Sequence, residues 1–116
     1  MNHAGKVRTR LVGRAAILDL EGDLTHEGEA PILRALHDPQ VSACPLILLN
    51  FAAVGYINSA GISLLVGLLS EIHPSERALL ICCLSPHYQK IFRMVGLTGF
   101  IRVFETEAAA LEWAAA

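Results

Sequence analysis

The chain has 116 residues, of which 53% are apolar and 17% are charged, and its formal net charge is −2. This length suits one ordinary domain, and the apolar content excludes a disordered segment. The slightly negative charge argues against a nucleic-acid-binding protein, which usually carries a strongly basic surface. We therefore expect a single domain over residues 1–116, with its core between residues 7 and 115.

A membrane-spanning helix has to be considered because no charged residue occurs from Pro39 to Ser70. However, Asn58, Ser59 and two glycines interrupt this run. A helix from Ser59 to Ile72 would be roughly 21 Å long, whereas the apolar core of a bilayer is about 30 Å thick. We expect no insertion into a membrane.

The three cysteines, Cys44, Cys82 and Cys83, are odd in number and form no Cys-x-x-Cys pair. This pattern is typical of free thiols in a reducing compartment. The first ten residues also lack the apolar core of a signal peptide. Together these features predict a cytoplasmic protein.

The chain begins with two predicted strands, Val7–Val12 and Ala15–Leu20, joined by the turn Gly13-Arg14. Such a short connection favours an antiparallel hairpin. Basic and other residues alternate in the first strand, which indicates the solvent face of an edge strand rather than a phosphate-binding stripe. The basic residues concerned are Lys6, Arg8 and Arg10.

The first helix is predicted from about Glu27 to His37, with Thr25 or a close neighbour as its N-cap. Pro31 is tolerated only in the first turn of a helix, which favours a start nearer Glu29. Asp38-Pro39 is expected to end the helix.

The central stretch, Leu46–Ile72, changes its apolar period midway. The run Leu46–Phe51 suits a strand covered on both faces. Asn58 and Ser59 are both favourable N-cap residues, so the following helix should start near Ser59. Helical spacing predicts that one stripe of this helix faces the core. The stripe consists of Ile62, Leu65, Val66, Leu69 and Ile72.

A second apolar face on the same helix contains Leu64 and Leu68, surrounded by Ala60, Ser63 and Gly67. A helix that is apolar on more than one side is either covered by another element or offers a surface to a partner. The sequence leaves both interpretations open.

After His73-Pro74, which should end that helix, the run Ala78–Leu84 predicts a further buried strand, parallel to the previous one. Ser85 and Pro86 are expected to start a third helix. Its stripe should comprise Tyr88, Ile91, Phe92 and Val95, with Gly96 as the C-cap. A short strand, Ile101–Phe104, and a last helix, Glu107–Ala115, capped by Thr106, complete the chain. This order predicts an α/β fold with a small mixed sheet of about five strands packed by about four helices.

Signatures of catalysis are absent from the sequence. It contains no phosphate-binding glycine motif and no nucleophile elbow, and its five histidines have no partners at metal-ligand spacing. The polar cluster of Asp23, His26 and Glu27 is best interpreted as a solvated turn. We expect no catalytic residue, metal or cofactor, and a small enzyme is the least favoured function.

Ser59 is the most informative polar residue, because its hydroxyl is predicted at a helix N-terminus beyond the C-terminal end of a strand. Open α/β sheets place their functional groups there. A phosphate on Ser59 would add about −1.5 to −2 charges. The helix N-terminus would tolerate that charge, but an apolar interface would have to desolvate it. Such a serine could switch binding without refolding the domain.

The order of elements and the motif Tyr56-Ile57-Asn58-Ser59-Ala60-Gly61 resemble the STAS domain of anti-sigma factor antagonists. The resemblance covers about Val7 to Ala115. It includes Gly22-Asp23-Leu24, Leu84-Ser85-Pro86 and Val95-Gly96-Leu97.

The resemblance implies partner switching. Members of this family bind an anti-sigma factor, which releases a sigma factor for transcription. The anti-sigma factor is also a kinase that phosphorylates a serine at the start of the second helix and thereby ends the interaction, and a phosphatase reverses this. By motif position that serine is Ser59. The implied partner-binding residues are Asp23, Thr25, Tyr56, Ile57, Asn58, Ser59, Ala60, Gly61, Ser63, Leu64 and Leu68.

Two positions depart from the family pattern. The family usually has aspartate where this chain has Asn58, and often an acidic residue where it has Thr25. These departures favour an alternative in which the domain is an adaptor without a phosphorylation switch. Such adaptors occur as subunits of lipid-transport ABC systems and in stress-signalling scaffolds.

Overall fold

A five-stranded sheet with helices on both faces forms the protein, according to a computed structural model that describes residues 6–72 and 77–115. The strands are β1 (Lys6–Val12), β2 (Ala15–Glu21), β3 (Leu46–Ala53), β4 (Ala78–Cys82) and β5 (Arg102–Phe104). The helices are α1 (Glu29–His37), α2 (Pro39–Ser42), α3 (Ser59–Ile72), α4 (Pro86–Met94) and α5 (Glu107–Ala115). Within the described ranges, 3-10 turns cover His26–Gly28 and Leu97–Gly99. The predicted fold class is confirmed.

The strand order in the sheet is β1-β2-β3-β4-β5. β1 pairs antiparallel with β2 and β3 pairs parallel with β4, as the sequence predicted. The β2–β3 and β4–β5 pairs are also parallel. The hairpin turn uses Gly13 at φ +58°, a conformation that glycine adopts without strain. Because the later strands are parallel, the helices between them return across the sheet. The molecule thus has a C-terminal end, where β2–β5 finish, and an N-terminal end, where they start.

Two apolar layers cover the sheet, because successive strand residues face opposite sides. On β3, Ile47, Leu49 and Phe51 belong to the larger core, which also contains side chains of α1, α3 and α4. Leu48 faces the smaller core, together with Ala110 of α5. β2, β3 and β4 are therefore buried on both faces along most of their length, which accounts for their nearly continuous apolar sequences.

The helix starts follow the predicted capping chemistry. Ser85 Oγ accepts a hydrogen bond from the Tyr88 amide at 3.3 Å, and Thr106 Oγ1 accepts one from the Ala109 amide at 3.0 Å. Thr25 Oγ1 accepts a bond from the Glu27 amide at 3.3 Å and caps the 3-10 turn that precedes α1. Gly96 follows α4 in the left-handed region, at φ +83°.

Helix α2 was not predicted, because Asp38-Pro39 was interpreted only as a stop signal. The Asp38 carboxylate accepts a hydrogen bond from the Gln40 amide at 2.9 Å, and Pro39 occupies the first helical position, where its missing N–H costs nothing. The same two residues therefore end one helix and start the next.

Several predicted boundaries and core positions were wrong. β4 ends at Cys82 rather than Leu84, because Cys83 takes a left-handed conformation at φ +64°. Val66 and Val95 are about half exposed although both were assigned to core stripes. The predicted stop at His73-Pro74 lies outside the described residues.

The thiols behave as the sequence predicted. All three cysteines are free, and Cys82 is fully buried in β4. Burial raises the pKa of the Cys82 thiol, which keeps it protonated and unreactive. No helix within residues 6–72 and 77–115 has the length and apolar character needed to cross a membrane.

Candidate functional site

The loop that leads from β3 into α3 is held by the chain segment that follows β2. The Leu24 amide donates to the Tyr56 carbonyl at 2.8 Å, and the Asn58 amide donates to the Leu24 carbonyl at 3.3 Å. Leu24 and Ile57 form an isolated parallel bridge, and both side chains are buried. The two segments thus extend the β2–β3 pairing beyond the regular sheet and fix the entry into α3.

Asn58 caps α3. Its Oδ1 atom accepts a hydrogen bond from the Gly61 amide at 2.9 Å, and its carbonyl accepts one from the Ile62 amide at 3.1 Å. Ser59 is then the first residue of α3 and is exposed, with no hydrogen bond to its hydroxyl among the described residues. Of the two candidate caps in the sequence, only Asn58 has the structural role, so the hydroxyl of Ser59 is available for chemistry or contact.

Gly61 allows α3 to approach the Leu24 segment. A Cβ atom at this position would collide with the Leu24 carbonyl oxygen and press on the Ile57 side chain. Only glycine fits at this buried position. Gly61 therefore allows α3 to pack directly against the Leu24 segment, which fixes the start of α3. Sequence reasoning named Gly61 as a partner contact, but this position offers nothing for a partner to touch.

A tyrosine that sequence reasoning assigned only to the core also supports the loop. The Ile57 amide donates a hydrogen bond to the Tyr88 hydroxyl of α4 at 3.0 Å. The start of α4 is thereby linked to the residue two positions before Ser59. No sequence signal could reveal this contact, because the two residues are far apart in the chain.

Leu64 and Leu68 do not form an exposed partner surface. Their exposed fractions are 7% and 1%, and both belong to the larger core. The buried side of α3 also includes Gly61, Leu65 and Ile72. The interpretation in which other elements cover the second apolar face is therefore correct, and α1 is among them through Ile32 and Leu36 of the same core.

A groove between α1 and α3 starts beside Ser59. On the α3 side it is lined by the small residues Ala60, Ser63 and Gly67, with Leu64 and Leu68 at its base. On the α1 side it is lined by His26, Glu29 and Leu33. At its far end His37 Nε2 lies 3.3 Å from Glu71 Oε1 and joins the two helices. Ser63, predicted to contact a partner, is exposed here.

The other predicted contact residues lie at the C-terminal end of the sheet with Ser59. Tyr56 is 53% exposed, whereas Ile57 is buried beneath it. Asp23 lies next to Gly55, where a Cβ atom would be 3.8 Å from Asp23 Oδ1. Thr25 is partly exposed, but its hydroxyl is occupied by the 3-10 cap.

The surface around Ser59 is acidic. The segments that build it, residues 22–33 and 54–72, contain no lysine or arginine. Their carboxylates near Ser59 are Asp23, Glu27 and Glu29, whereas Glu71 lies at the far end of α3. A phosphate on Ser59 would thus add like charge to this surface, and no lysine or arginine of these segments could neutralise it.

No group of three or more potential metal ligands occurs in the described part of the chain. The strongest polar network lies on the other face of the sheet. Arg10 Nε lies 2.6 Å from Asp19 Oδ2, and Arg10 Nη2 lies 2.5 Å from Glu107 Oε1. Asn50 Nδ2 donates to the same Glu107 oxygen at 2.9 Å. Because Arg10 pairs with both carboxylates and links β1 and β2 to α5, we interpret this network as an anchor for α5.

Comparison with known proteins gives a family match and similar folds. A family model described as the STAS domain matches residues 6–110. The unphosphorylated form of the anti-sigma factor antagonist SpoIIAA has a TM-score of 0.69 at 22% identity, covering 93% of this chain and 96% of that one. The phosphorylated form of the Bacillus cell fate determinant SpoIIAA has a TM-score of 0.68 at 24% identity, covering 93% and 98%.

An anti-sigma factor antagonist from Mycobacterium paratuberculosis is similar as well. Its TM-score is 0.79 at 14% identity, with 93% of this chain and 92% of that chain covered. At these identities the structural likeness establishes the shared fold.

Proposed function

The chain belongs to the STAS domain family, and from this we propose that it is an anti-sigma factor antagonist whose binding to an anti-sigma factor is switched at Ser59. In its unphosphorylated form the protein binds the partner through the surface around the start of α3. Phosphorylation of Ser59 by the partner ends the contact, and a phosphatase restores it. The three free cysteines agree with action in the cytoplasm.

The observation that carries this proposal is the division of roles between Asn58 and Ser59. Asn58 Oδ1 already caps α3, so Ser59 is exposed at the first helical position without a structural task. A phosphate there would face the free N–H groups of the helix N-terminus, which favour negative charge. The modified protein would therefore stay folded.

The same phosphate would disrupt a bound partner. It would lie between exposed Tyr56 and the start of the α1–α3 groove, in the middle of the surface that a partner would cover. Covering it requires desolvation of nearly two charges on a surface that already carries three carboxylates, Asp23, Glu27 and Glu29. SpoIIAA, which has a similar fold, exists in phosphorylated and unphosphorylated forms.

An adaptor without a phosphorylation switch is the second candidate. It is favoured by Asn58 and Thr25, which replace the carboxylates usual in the family and are both occupied as structural caps. In that case the same surface would bind a partner constitutively.

The deciding experiment combines the protein with a histidine-kinase-like anti-sigma factor from the same genome and ATP. Intact mass and peptide mapping would locate any phosphate, and binding would be measured for Ser59→Asp and Ser59→Ala. We expect one phosphate on Ser59, at least tenfold weaker binding by Ser59→Asp, and unchanged binding by Ser59→Ala. Ser70→Asp is the matched control, because it places the same charge near the other end of α3.

Two other results are informative. Equal binding by wild type, Ser59→Asp and Ser59→Ala, without phosphate transfer, would contradict the switch and support the adaptor. Loss of binding in Ser70→Asp as well would indicate a general effect of added charge rather than a site at Ser59.

A further inference from the structure

The N-terminal end of the sheet, opposite Ser59, combines exposed apolar side chains with arginines. The β1–β2 hairpin places Leu11, Val12 and Arg14 there, a group we call the hairpin tip. Leu11 and Val12 are exposed apolar residues. Residues 11–18 contain no acidic side chain.

The turn between α4 and β5 lies at the same end of the molecule. It presents Met94 at 75% exposure, Phe100 at 71% and Val95 at 54%. Arg93 precedes them and Arg102 follows them, and residues 93–104 contain no acidic side chain. We call Arg93, Met94, Val95 and Phe100 the α4–β5 turn.

This turn is a fixed structure. The Gly96 amide donates to the Arg93 carbonyl at 3.1 Å, and the Phe100 and Ile101 amides both donate to the Leu97 carbonyl at 2.9 Å. Leu97 is buried and anchors the turn in the larger core. The exposed apolar side chains are thus presented without an ordering step, which lowers the entropic cost of docking.

The hairpin tip and the α4–β5 turn lie near opposite edges of the sheet. Three to four strand spacings separate them, which is roughly 15–19 Å. Beside the α4–β5 turn, Trp113 of α5 stacks on Arg102, whose Cζ atom is 4.7 Å from the ring centroid. A partner that engages both groups at once must be broad and flat.

From this arrangement we propose that the N-terminal end of the sheet docks on the surface of an anionic lipid bilayer. The apolar side chains would enter the headgroup region, and Arg14, Arg93 and Arg102 would face the lipid phosphates. A second copy of the chain is a poor occupant, because a symmetric contact would bring arginines together. Among the described residues, the carboxylates near this end are Asp38, Glu71 and Glu112. They lie at the N-cap of α2, near the end of α3 and in α5, and thus outside both groups.

This inference is independent of the function proposed for Ser59. Parallel strands and returning helices place Ser59 at the C-terminal end, so docking would leave its surface open to a protein partner. Docking would rely on burial of a few apolar side chains and on attraction between arginines and lipid phosphates, without a spanning segment. Because both contributions are weak, the contact would be reversible, and the attraction between charges makes it sensitive to salt.

Co-sedimentation of the full chain with vesicles tests the proposal. The vesicles would contain either equal parts of phosphatidylglycerol and phosphatidylcholine or phosphatidylcholine alone. We expect sedimentation with the anionic vesicles at low salt, and its loss at high salt or with neutral vesicles. Arg14→Gln with Arg93→Gln should reduce partitioning by roughly twenty-five-fold, at about fivefold per charge. Met94→Ser with Phe100→Ser should reduce it by about tenfold.

Matched controls use the same substitutions elsewhere. Lys6→Gln with Arg8→Gln removes two exposed charges from the start of β1, and Val66→Ser removes an exposed apolar side chain from α3. Both controls should sediment like the wild type. Absence of sedimentation with any vesicle would overturn the proposal. An acidic protein would then be the favoured partner of the N-terminal end of the sheet. Equal losses in the controls and the docking variants would overturn it too.

Discussion

At the scale of single residues, Asn58 and Ser59 show how two adjacent cap-forming residues can have different tasks. Asn58 satisfies the Gly61 amide, whereas the Ser59 hydroxyl is exposed. The usual aspartate of the family could provide the same cap, so its replacement by Asn58 preserves the helix start. It removes one negative charge from the surface next to Ser59.

We predict that Asn58→Ala destabilises the domain by about 1 kcal/mol, because the Gly61 amide loses its acceptor. Asn58→Asp should retain wild-type stability, since aspartate caps equally well. Ser59→Ala serves as the neighbouring control and should change stability by less than about 0.5 kcal/mol. Urea unfolding measures the free energy of unfolding of all three variants. A larger effect of Ser59→Ala than of Asn58→Ala would contradict the assigned roles.

Two glycines of α3 form a second test at this scale. Gly61→Ala should cost about 1–3 kcal/mol, because the new methyl group collides with the Leu24 carbonyl and the backbone cannot yield easily. Gly67→Ala meets no atom within 4 Å and should stabilise the helix by up to about 1 kcal/mol. Thermal unfolding should give a lower midpoint temperature than the wild type for Gly61→Ala and a higher one for Gly67→Ala. Equal shifts of the two midpoints would contradict the close contact of Gly61 with the Leu24 carbonyl.

At the scale of elements, α4 supports the entry into α3 through one hydrogen bond. Tyr88→Phe removes the acceptor of the Ile57 amide and should cost about 1 kcal/mol. Hydrogen exchange at the Ile57 amide should become several-fold faster. Tyr56→Phe is the matched control, since its ring is half exposed and its hydroxyl makes no hydrogen bond among the described residues. Unchanged exchange in Tyr88→Phe would refute the link.

The attachment of α5 depends on pH. The hydrogen bond from Arg10, assisted by one from Asn50, lowers the pKa of Glu107. A carboxylate with a lowered folded-state pKa contributes stability above its unfolded pKa of about 4.3, and this is lost as pH falls through the folded value. The contribution is at most about 1 kcal/mol, because the Arg10 side chain is 43% exposed and solvent screens the pair.

Glu107→Gln should therefore be less stable than the wild type near neutral pH, and the difference should shrink below about pH 4. Urea midpoints measured across this range test the prediction. Glu112→Gln, an exposed substitution on the same helix, should show no such trend. A difference for Glu107→Gln that is independent of pH would rule out the ion pair as its cause.

At the scale of the whole molecule, the parallel sheet separates two surfaces. The acidic surface around Ser59 lies at the C-terminal end, and the arginine-bearing hairpin tip and α4–β5 turn lie at the N-terminal end. Helix α3 runs from one end to the other and its 14 residues span roughly 21 Å, so charges at the two ends are separated by more than the screening length of about 8–10 Å at physiological salt.

We predict that Ser59→Asp leaves sedimentation with phosphatidylglycerol vesicles within about twofold of the wild type, because screening isolates the two ends. Vesicle sedimentation of both proteins side by side measures this. A change in sedimentation much larger than twofold would mean that a charge at Ser59 affects vesicle binding at the N-terminal end.

The sequence alone was sufficient for the chain order of the strands and of the longer helices, for most caps and for the start of α3 at Ser59. These features depend on local chemistry: apolar period, capping side chains and prolines act within a few residues. The same local signals indicated a strand–loop–helix unit that presents a serine near a helix start. The family resemblance followed from the order of these local motifs, and the family match confirms it.

Only the tertiary structure decided which side of α3 is buried. Apolar residues occupy so much of the helix circumference that periodicity cannot select one face, and contact with α1 buries Leu64 and Leu68 while Val66 remains exposed. Contacts between distant residues were equally inaccessible, such as Tyr88 with Ile57 and Arg10 with Glu107. Local propensity fixes elements, whereas the choice of face and the long-range contacts depend on how those elements pack.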